Sequence, residues 1–164
     1  MNIIAPGSLE PRNPRLALDE LRQVVRLTPL ISIDLVLRDE ADRMLLGWRC
    51  NRPARHTWFV PGGRVGKNET RAAAFLRLTE MELGRSFAIE SARFLGVFEH
   101  FYPDNFADAP GFGTHYLVLA YALRQNAKNL LLPPDQHDGY LWLSDAEILI
   151  RDDVHANTKA YCGL

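Results

Sequence analysis

Arg49, Arg52 and Arg64 bracket the stretch Pro61-Gly62-Gly63. Guanidinium groups are planar forks that bind phosphate through paired N–H bonds, so three of them around one glycine turn could clamp a diphosphate. Downstream, Glu82 lies in a run of helix formers and offers an oxygen ligand to a hard divalent cation. Glu80 is two positions away and points about 160° off that direction on a helix, which makes it a solvated surface carboxylate. His137 carries an imidazole, the side-chain type best suited to take a proton from water near neutral pH. Asp34 interrupts an apolar segment, and a buried carboxylate needs a reason: a salt bridge with a nearby Arg, or a place in a site. His100 shares a strand face with Phe98 and Tyr102, the setting of a core or rim imidazole. His115, on the opposite strand face from Tyr116, reads as structural, as do His56 and His155.

The elements that must position these groups follow from apolar spacing. Residues 1–15, with Pro6, Gly7, Pro11 and Pro14, form an extended lead-in, and 16–164 make a single domain that begins with a short amphipathic helix over Leu16–Arg26. Pro29 ends that helix. Leu30–Leu37 alternates as a half-buried strand, and Met44–Arg49 follows after a polar turn. Thr57–Val60 is a short strand that stops at the glycines. Thr70–Leu83 contains no breaker until Gly84, which sits where a helix C-cap belongs. Phe94–Tyr102 and Thr114–Leu123 are strong strands. A short strand around Trp142 and one or two helices between Ser144 and Tyr161 complete the chain. Strands gathered around one long helix, without regular alternation, predict an α/β (α+β) sandwich with a mixed sheet.

Composition narrows the classes. The 164 residues, 47% hydrophobic and 24% charged, suit one globular domain. A formal net charge of −1 argues against a nucleic-acid or membrane-surface binder. Within that near-zero sum, 16 of the 19 basic residues are Arg, and seven of these fall in the 35 residues from Arg43 to Arg77. Codon bias accounts for the overall ratio as well as function does; position has to decide for individual residues. Two distant cysteines, Cys50 and Cys162, indicate neither a disulfide framework nor a zinc site, and no apolar run reaches membrane-spanning length. A reduced, cytoplasmic protein is expected.

From Gly63, the stretch GRVGKNETRAAAFLRLTEMELG places Glu69 six residues on, Arg77 eight further, Glu82 five further and Gly84 two more. This frame resembles the Nudix box, Gly-x5-Glu-x7-Arg-Glu-apolar-x-Glu-Glu-x-Gly. Two box acids are absent, since Leu78 and Met81 stand in their places. Positions 78, 81 and 82 lie at i, i+3 and i+4, where three carboxylates could hold two or three cations and Glu82 alone can anchor one. With LLGWRCNRP, TWFVPGGRV, HFYPDNF, THY, LLLPPDQHDGYLWL and DDVHANTKAY, the chain from Thr28 to Tyr161 resembles the GDP-mannose mannosyl hydrolases, a Nudix group that cleaves at carbon rather than phosphorus.

The resemblance implies a Nudix-type α/β/α sandwich with one central box helix. It also implies one Mg²⁺ per subunit, with Mn²⁺ as a substitute, held by the Gly62 carbonyl, Glu82 and the Gln136 side chain. Glu69 and Arg77 would pair to orient the box. His137 would be the general base, with Tyr140 supporting it on the substrate side. Arg49 and Arg64 would contact the diphosphate, Tyr116 the same group, His100 the sugar or diphosphate, and Asp34 the sugar hydroxyls or the base. Leu21 aligns with an aromatic of the family's base pocket, and Leu16 lies in the same segment. The reaction implied is hydrolysis of GDP-mannose, and of GDP-glucose, to GDP and free sugar with inversion. Its partners are then a small nucleotide sugar and a second subunit in a homodimer. A phosphorus-attacking diphosphatase and a non-catalytic nucleotide-sugar binding domain are the rival readings.

Overall fold

The computed structural model describes residues 16–134 and 137–164; the lead-in at 1–15 and the expected ligand Gln136 lie outside the described residues. Chain order runs α1 (Leu18–Leu27), β1 (Leu30–Arg38), β2 (Met44–Trp48), β3 (Trp58–Phe59), β4 (Gly62–Arg64), α2 (Arg71–Leu83), β5 (Arg93–Tyr102), β6 (Thr114–Arg124), β7 (Tyr140–Leu143), α3 (Asp145–Ile150) and α4 (Ala156–Lys159). The strands form one mixed sheet in the order β3-β2-β1-β6-β5, with β4 also paired to β1 and β7 to β2. β1 and β6 run parallel from Leu30 opposite Tyr116 to Arg38 opposite Arg124, while the remaining strand pairs are antiparallel.

Each face of the sheet carries its own apolar cluster. On one, Ile33, Leu35 and Leu37 of β1 pack with Ala74, Phe75, Leu78 and Leu83 of α2 and with Tyr121 and Leu123 of β6. On the other, Val36, Met44, Leu46, Phe59 and Ala120 meet Ile148 of α3 together with Val154 and Tyr161 of the C-terminal segment. The fold is the expected three-layer sandwich with a mixed sheet.

β1 departs from the expected half-buried alternation. Except for Ile31 every residue is buried, Ser32 and Asp34 included, because strands flank β1 on both sides and helical layers cover both faces. α2 follows its sequence signals. The Thr70 hydroxyl accepts from the Ala73 amide at the N-terminus, and Gly84 ends the helix in a left-handed conformation with φ 69°.

Gly62 and Gly63 are a correction. The expected glycine turn is a short strand, β4, antiparallel to β1 with Asp34 opposite Gly62 and Ile33 opposite Gly63. Glycine is required there for close approach rather than for bending. A Cβ on Gly62 would collide with the Ile33 carbonyl, and one on Gly63 would sit 2.6 Å from Leu78 Cδ2. No helix among the described residues is long and apolar enough to cross a membrane.

Candidate active site

β1, β4, β5 and β6 bring Ser32, Asp34, Gly62, Gly63, Arg64, His100, Tyr102 and Tyr116 around one cavity of about 210 Å³. Arg49, Pro53, Phe59 and Val60 close it. Five of the expected residues, Asp34, Arg49, Arg64, His100 and Tyr116, thus converge with Gly62 on a single pocket. They come together because even-numbered positions of the neighbouring strands β1, β5 and β6 share one sheet face.

Asp34 is buried, and its partner is not the Arg salt bridge weighed from sequence. The Tyr161 hydroxyl donates to Asp34 Oδ2 at 2.7 Å. Burial pushes the Asp34 pKa up to about 7, against the opposing pull of the Tyr161 hydrogen bond and the Arg49 charge. His100 is buried edge-on to Phe59 and Tyr102. Burial, reinforced by nearby His155, lowers its pKa to about 4, so it is neutral across the physiological range. Burial also raises the Tyr116 phenol above its ordinary value. His155, expected to be structural, caps α4 by accepting the Asn157 amide at Nδ1.

Glu69 and Arg77 pair as expected. Arg77 Nε donates to Glu69 Oε1 at 2.7 Å and Nη2 to Oε2 at 2.8 Å, a bidentate bridge. Nη2 also reaches the Arg64 carbonyl at 2.9 Å, and Glu69 Oε2 accepts from the Gly66 amide at 2.7 Å. The bridge therefore ties the loop between β4 and α2 to the strand that carries Arg64. Burial pushes the Glu69 carboxyl upward, but the Arg77 and Gly66 bonds win and hold it below the usual carboxylate range.

Glu82 and His137 form a separate buried pair, with His137 Nε2 at 3.2 Å from Glu82 Oε2. The imidazole lies so close over Gly47 of β2 that any Cβ there would strike the ring. The Tyr140 ring backs it edge-on at 5.3 Å, and the Tyr140 hydroxyl is spent on the Pro133 carbonyl at 2.8 Å. Tyr140 therefore braces His137 and is not among the residues lining the cavity. His137 Nδ1 is buried with no hydrogen-bond partner among the described residues.

The two box positions without acids are occupied by side chains of different use. Leu78 is buried in the core against Gly63, and Met81 lies outside beside Arg77, its sulfur 3.7 Å from Nη1. Glu80 is exposed and accepts from the Ser86 hydroxyl. Among the described residues no three His, Cys, Asp or Glu side chains come together to hold a metal. The buried Glu82 carboxylate is an oxygen donor of the kind that fits a single hard cation drawing its further ligands from backbone, phosphate and water.

Two expectations shift. Arg52, expected beside Arg49 and Arg64, is not among the residues lining their cavity: its guanidinium is engaged by Asp104 at 2.8 Å and Asp108 at 3.3 Å. Leu16 and Leu21 separate. Leu16 lines a second, more apolar cavity of about 580 Å³ with Val24, Pro29, Ile31 and Val65, while Leu21 is half-buried on α1 and is not among its lining residues. Arg64 borders both cavities. Sequence reasoning missed Tyr161 and Tyr102. Tyr102 alternates with His100 on β5 and was open to detection; nothing local to Tyr161 announces its return to β1.

Comparison with known proteins agrees with this architecture. Residues 28–163 match the NUDIX domain family. The chain belongs to that family, and its class is the Nudix hydrolases. It is 47% identical over 113 residues to the low-salt glycan biosynthesis protein Agl8 of Haloferax volcanii, an alignment covering 68% of this chain and 69% of that protein. Among solved structures, the MutT protein from Methanosarcina mazei Go1 superposes with a TM-score of 0.64 at 19% identity, covering 82% of this chain and 91% of that one. The NUDIX domain of Shewanella oneidensis NrtR, in complex with ADP ribose, gives 0.56 at 17% identity over 85% and 90% of the two chains. At such identities the two structures show the shared fold. Nudix hydrolases act on small nucleotide compounds and generally use divalent metal ions.

Proposed function

We propose that the protein hydrolyses GDP-mannose, and also GDP-glucose, to GDP and free sugar by attack of water at the anomeric carbon. The observation that carries this reading is the reduced acid set of α2. With Leu78 in the core and Met81 beside Arg77, Glu82 alone keeps a carboxylate on the face where a phosphorus-attacking box would use several. The glycan-biosynthesis name of the 47% identical relative supports a sugar-linked substrate.

In this reading Arg49 and Arg64 meet the charge that grows on the β-phosphate oxygen as the C1–O bond lengthens toward an oxocarbenium-like state. Tyr116 adds a hydroxyl donor to the diphosphate. His137, braced by Tyr140 and Gly47, takes the proton of the attacking water, and attack opposite the diphosphate inverts the anomeric centre. Asp34 bonds the sugar hydroxyls, and neutral His100 contacts the sugar or diphosphate. A single Mg²⁺ or Mn²⁺, held by Glu82, the Gly62 carbonyl and Gln136, would supply counter-charge to the leaving diphosphate. The apolar cavity at Leu16, which Arg64 also borders, supports apolar contact with the guanine. The working unit is a cytoplasmic homodimer; light scattering tests the oligomeric part.

The test is hydrolysis of GDP-mannose in ¹⁸O-water with mass analysis of both products. Label in the sugar supports attack at carbon. Label in a phosphate, or release of GMP and sugar phosphate, replaces this reading with the diphosphatase. Binding without turnover in the presence of Mg²⁺ replaces it with a binding domain.

A further inference from the structure

Tyr161 is the largest fully buried side chain among the described residues, yet it ends in a hydroxyl inside an apolar cluster. A buried hydroxyl without a partner is costly, and here the partner is Asp34 on the floor of the active-site cavity. The ring cannot swing away. It is edge-on to Phe98 at 5.0 Å and tilted against His100 at 6.4 Å. Its backbone is held as well. The Tyr161 amide bonds the Thr158 carbonyl, Arg38 Nη2 reaches the Tyr161 carbonyl, and Arg38 and the Gly163 amide both bind Asp145. A buried arginine at the end of β1 thus latches the C-terminal segment beneath the same strand that bears Asp34.

Asp34 has two carboxyl oxygens, and Tyr161 occupies one. The other, Oδ1, lies on the Gly62 side, 3.1 Å from where a Cβ on that glycine would sit. Gly62 also lines the cavity. A carboxyl group left without a fixed partner can turn about its terminal torsion, for which preferences are broad.

We propose that Tyr161 is a positioning residue of the active site: its hydroxyl, delivered by the latched C-terminal segment, fixes the Asp34 carboxyl with Oδ1 presented to the cavity for recognition of the sugar hydroxyls. This rests on the nucleotide-sugar reading for what is recognised, but not for the positioning itself. The role is specific to the sugar end, since Arg49 and Arg64 hold the diphosphate.

Tyr161→Phe keeps the ring and removes only the hydroxyl. It lowers kcat/KM for GDP-mannose about tenfold, leaves inhibition by GDP unchanged, and has no further effect in an Asp34→Asn background. Unchanged kcat/KM, an equal loss in the Asp34→Asn background, or an equal weakening of GDP overturns the proposal. In ligand-free protein with ¹³C-labelled aspartate, the Asp34 carboxyl resonance, assigned by its disappearance in Asp34→Asn, shifts in Tyr161→Phe; an unmoved resonance also overturns it. Because this measurement needs no substrate, a parent enzyme inactive on GDP-mannose sinks the functional reading while the resonance still decides the positioning. Should Tyr161→Phe fail to fold, 3-fluorotyrosine incorporated at position 161, which alters the acidity of the hydroxyl and retains the ring, must move the same resonance.

Discussion

Two carboxylates are buried to nearly the same degree, Asp34 at 6% exposure and Glu82 at 7%, and the molecule treats them differently. Asp34 touches a neutral phenol, and the charge acting on it, that of Arg49, works at longer range, so burial wins and its pKa rises to about 7. Glu82 faces the His137 imidazole directly, in a pair walled by Gly47 and Tyr140. Glu69 is a third case, locked to Arg77 by two short bonds. Burial alone therefore does not define an acid's role; the partner does. In the proposed reading a neutral partner suits Asp34 to recognition, an imidazole beside Glu82 suits metal and proton chemistry, and a guanidinium suits Glu69 to holding the loop.

The sharpest way to break this comparison is Glu82→Gln. Loss of the anionic ligand should lower turnover of GDP-mannose by on the order of 10³-fold and abolish Mg²⁺ binding measured by calorimetry, with the fold retained by circular dichroism. A variant that still binds Mg²⁺ normally would remove Glu82 from the metal site.

Asp34→Asn should act on stability in the opposite sense. The native pKa lies above the unfolded value, so Asp34 contributes stability that is fully present below about pH 3.8 and is lost as pH rises to about 7. The slope is about 1.4 kcal/mol per pH unit within that window. Asn removes the slope, and denaturant unfolding at pH 7 and above should show the variant to be at least as stable as the parent, although its kcat/KM falls.

His100 carries the counter-slope. Its native pKa, about 4, lies below the unfolded value of 6.5, so its contribution is present above pH 6.5 and lost as pH falls through 4. His155, lowered by burial in the same way, adds to the rise, and Asp34 opposes both imidazoles between pH 4 and 6.5. Asp34→Asn should steepen the rise of stability with pH across this range, and a variant no steeper than the parent contradicts the assignment.

Glu69→Gln should have the smallest effect, about 1 kcal/mol of stability and a several-fold drop in kcat, measured by unfolding and steady-state kinetics. A loss as large as that of Glu82→Gln would mean that Glu69 binds metal itself rather than holding the loop.

Legibility in the sequence followed the range of the interactions. α2 was readable from Thr70 to Gly84 because its caps are local, whereas the Glu69–Arg77 bridge was expected only through the resemblance to the Nudix box. His100, Tyr116 and Asp34 could be suspected from strand alternation, which assigns a face though not a partner. Arg52 shows the limit. Its type and position matched those of Arg49 and Arg64, but a loop 52 residues further on supplies Asp104 and takes its charge.

The sequence by itself determined the box frame, its missing acids at 78 and 81, the boundaries of the main elements to within a few residues, and the layered class of the fold. Those rest on local spacing, caps and periodicity, which are written along the chain. Only the tertiary structure decided that the glycine pair is a strand pressed between β1 and Leu78, that Glu82 and His137 touch across 55 positions, and that Asp34 is met by Tyr161 across 127. Such pairings form because burial leaves a polar group with no water and one reachable partner, and sequence spacing carries no record of which partner the fold brings near.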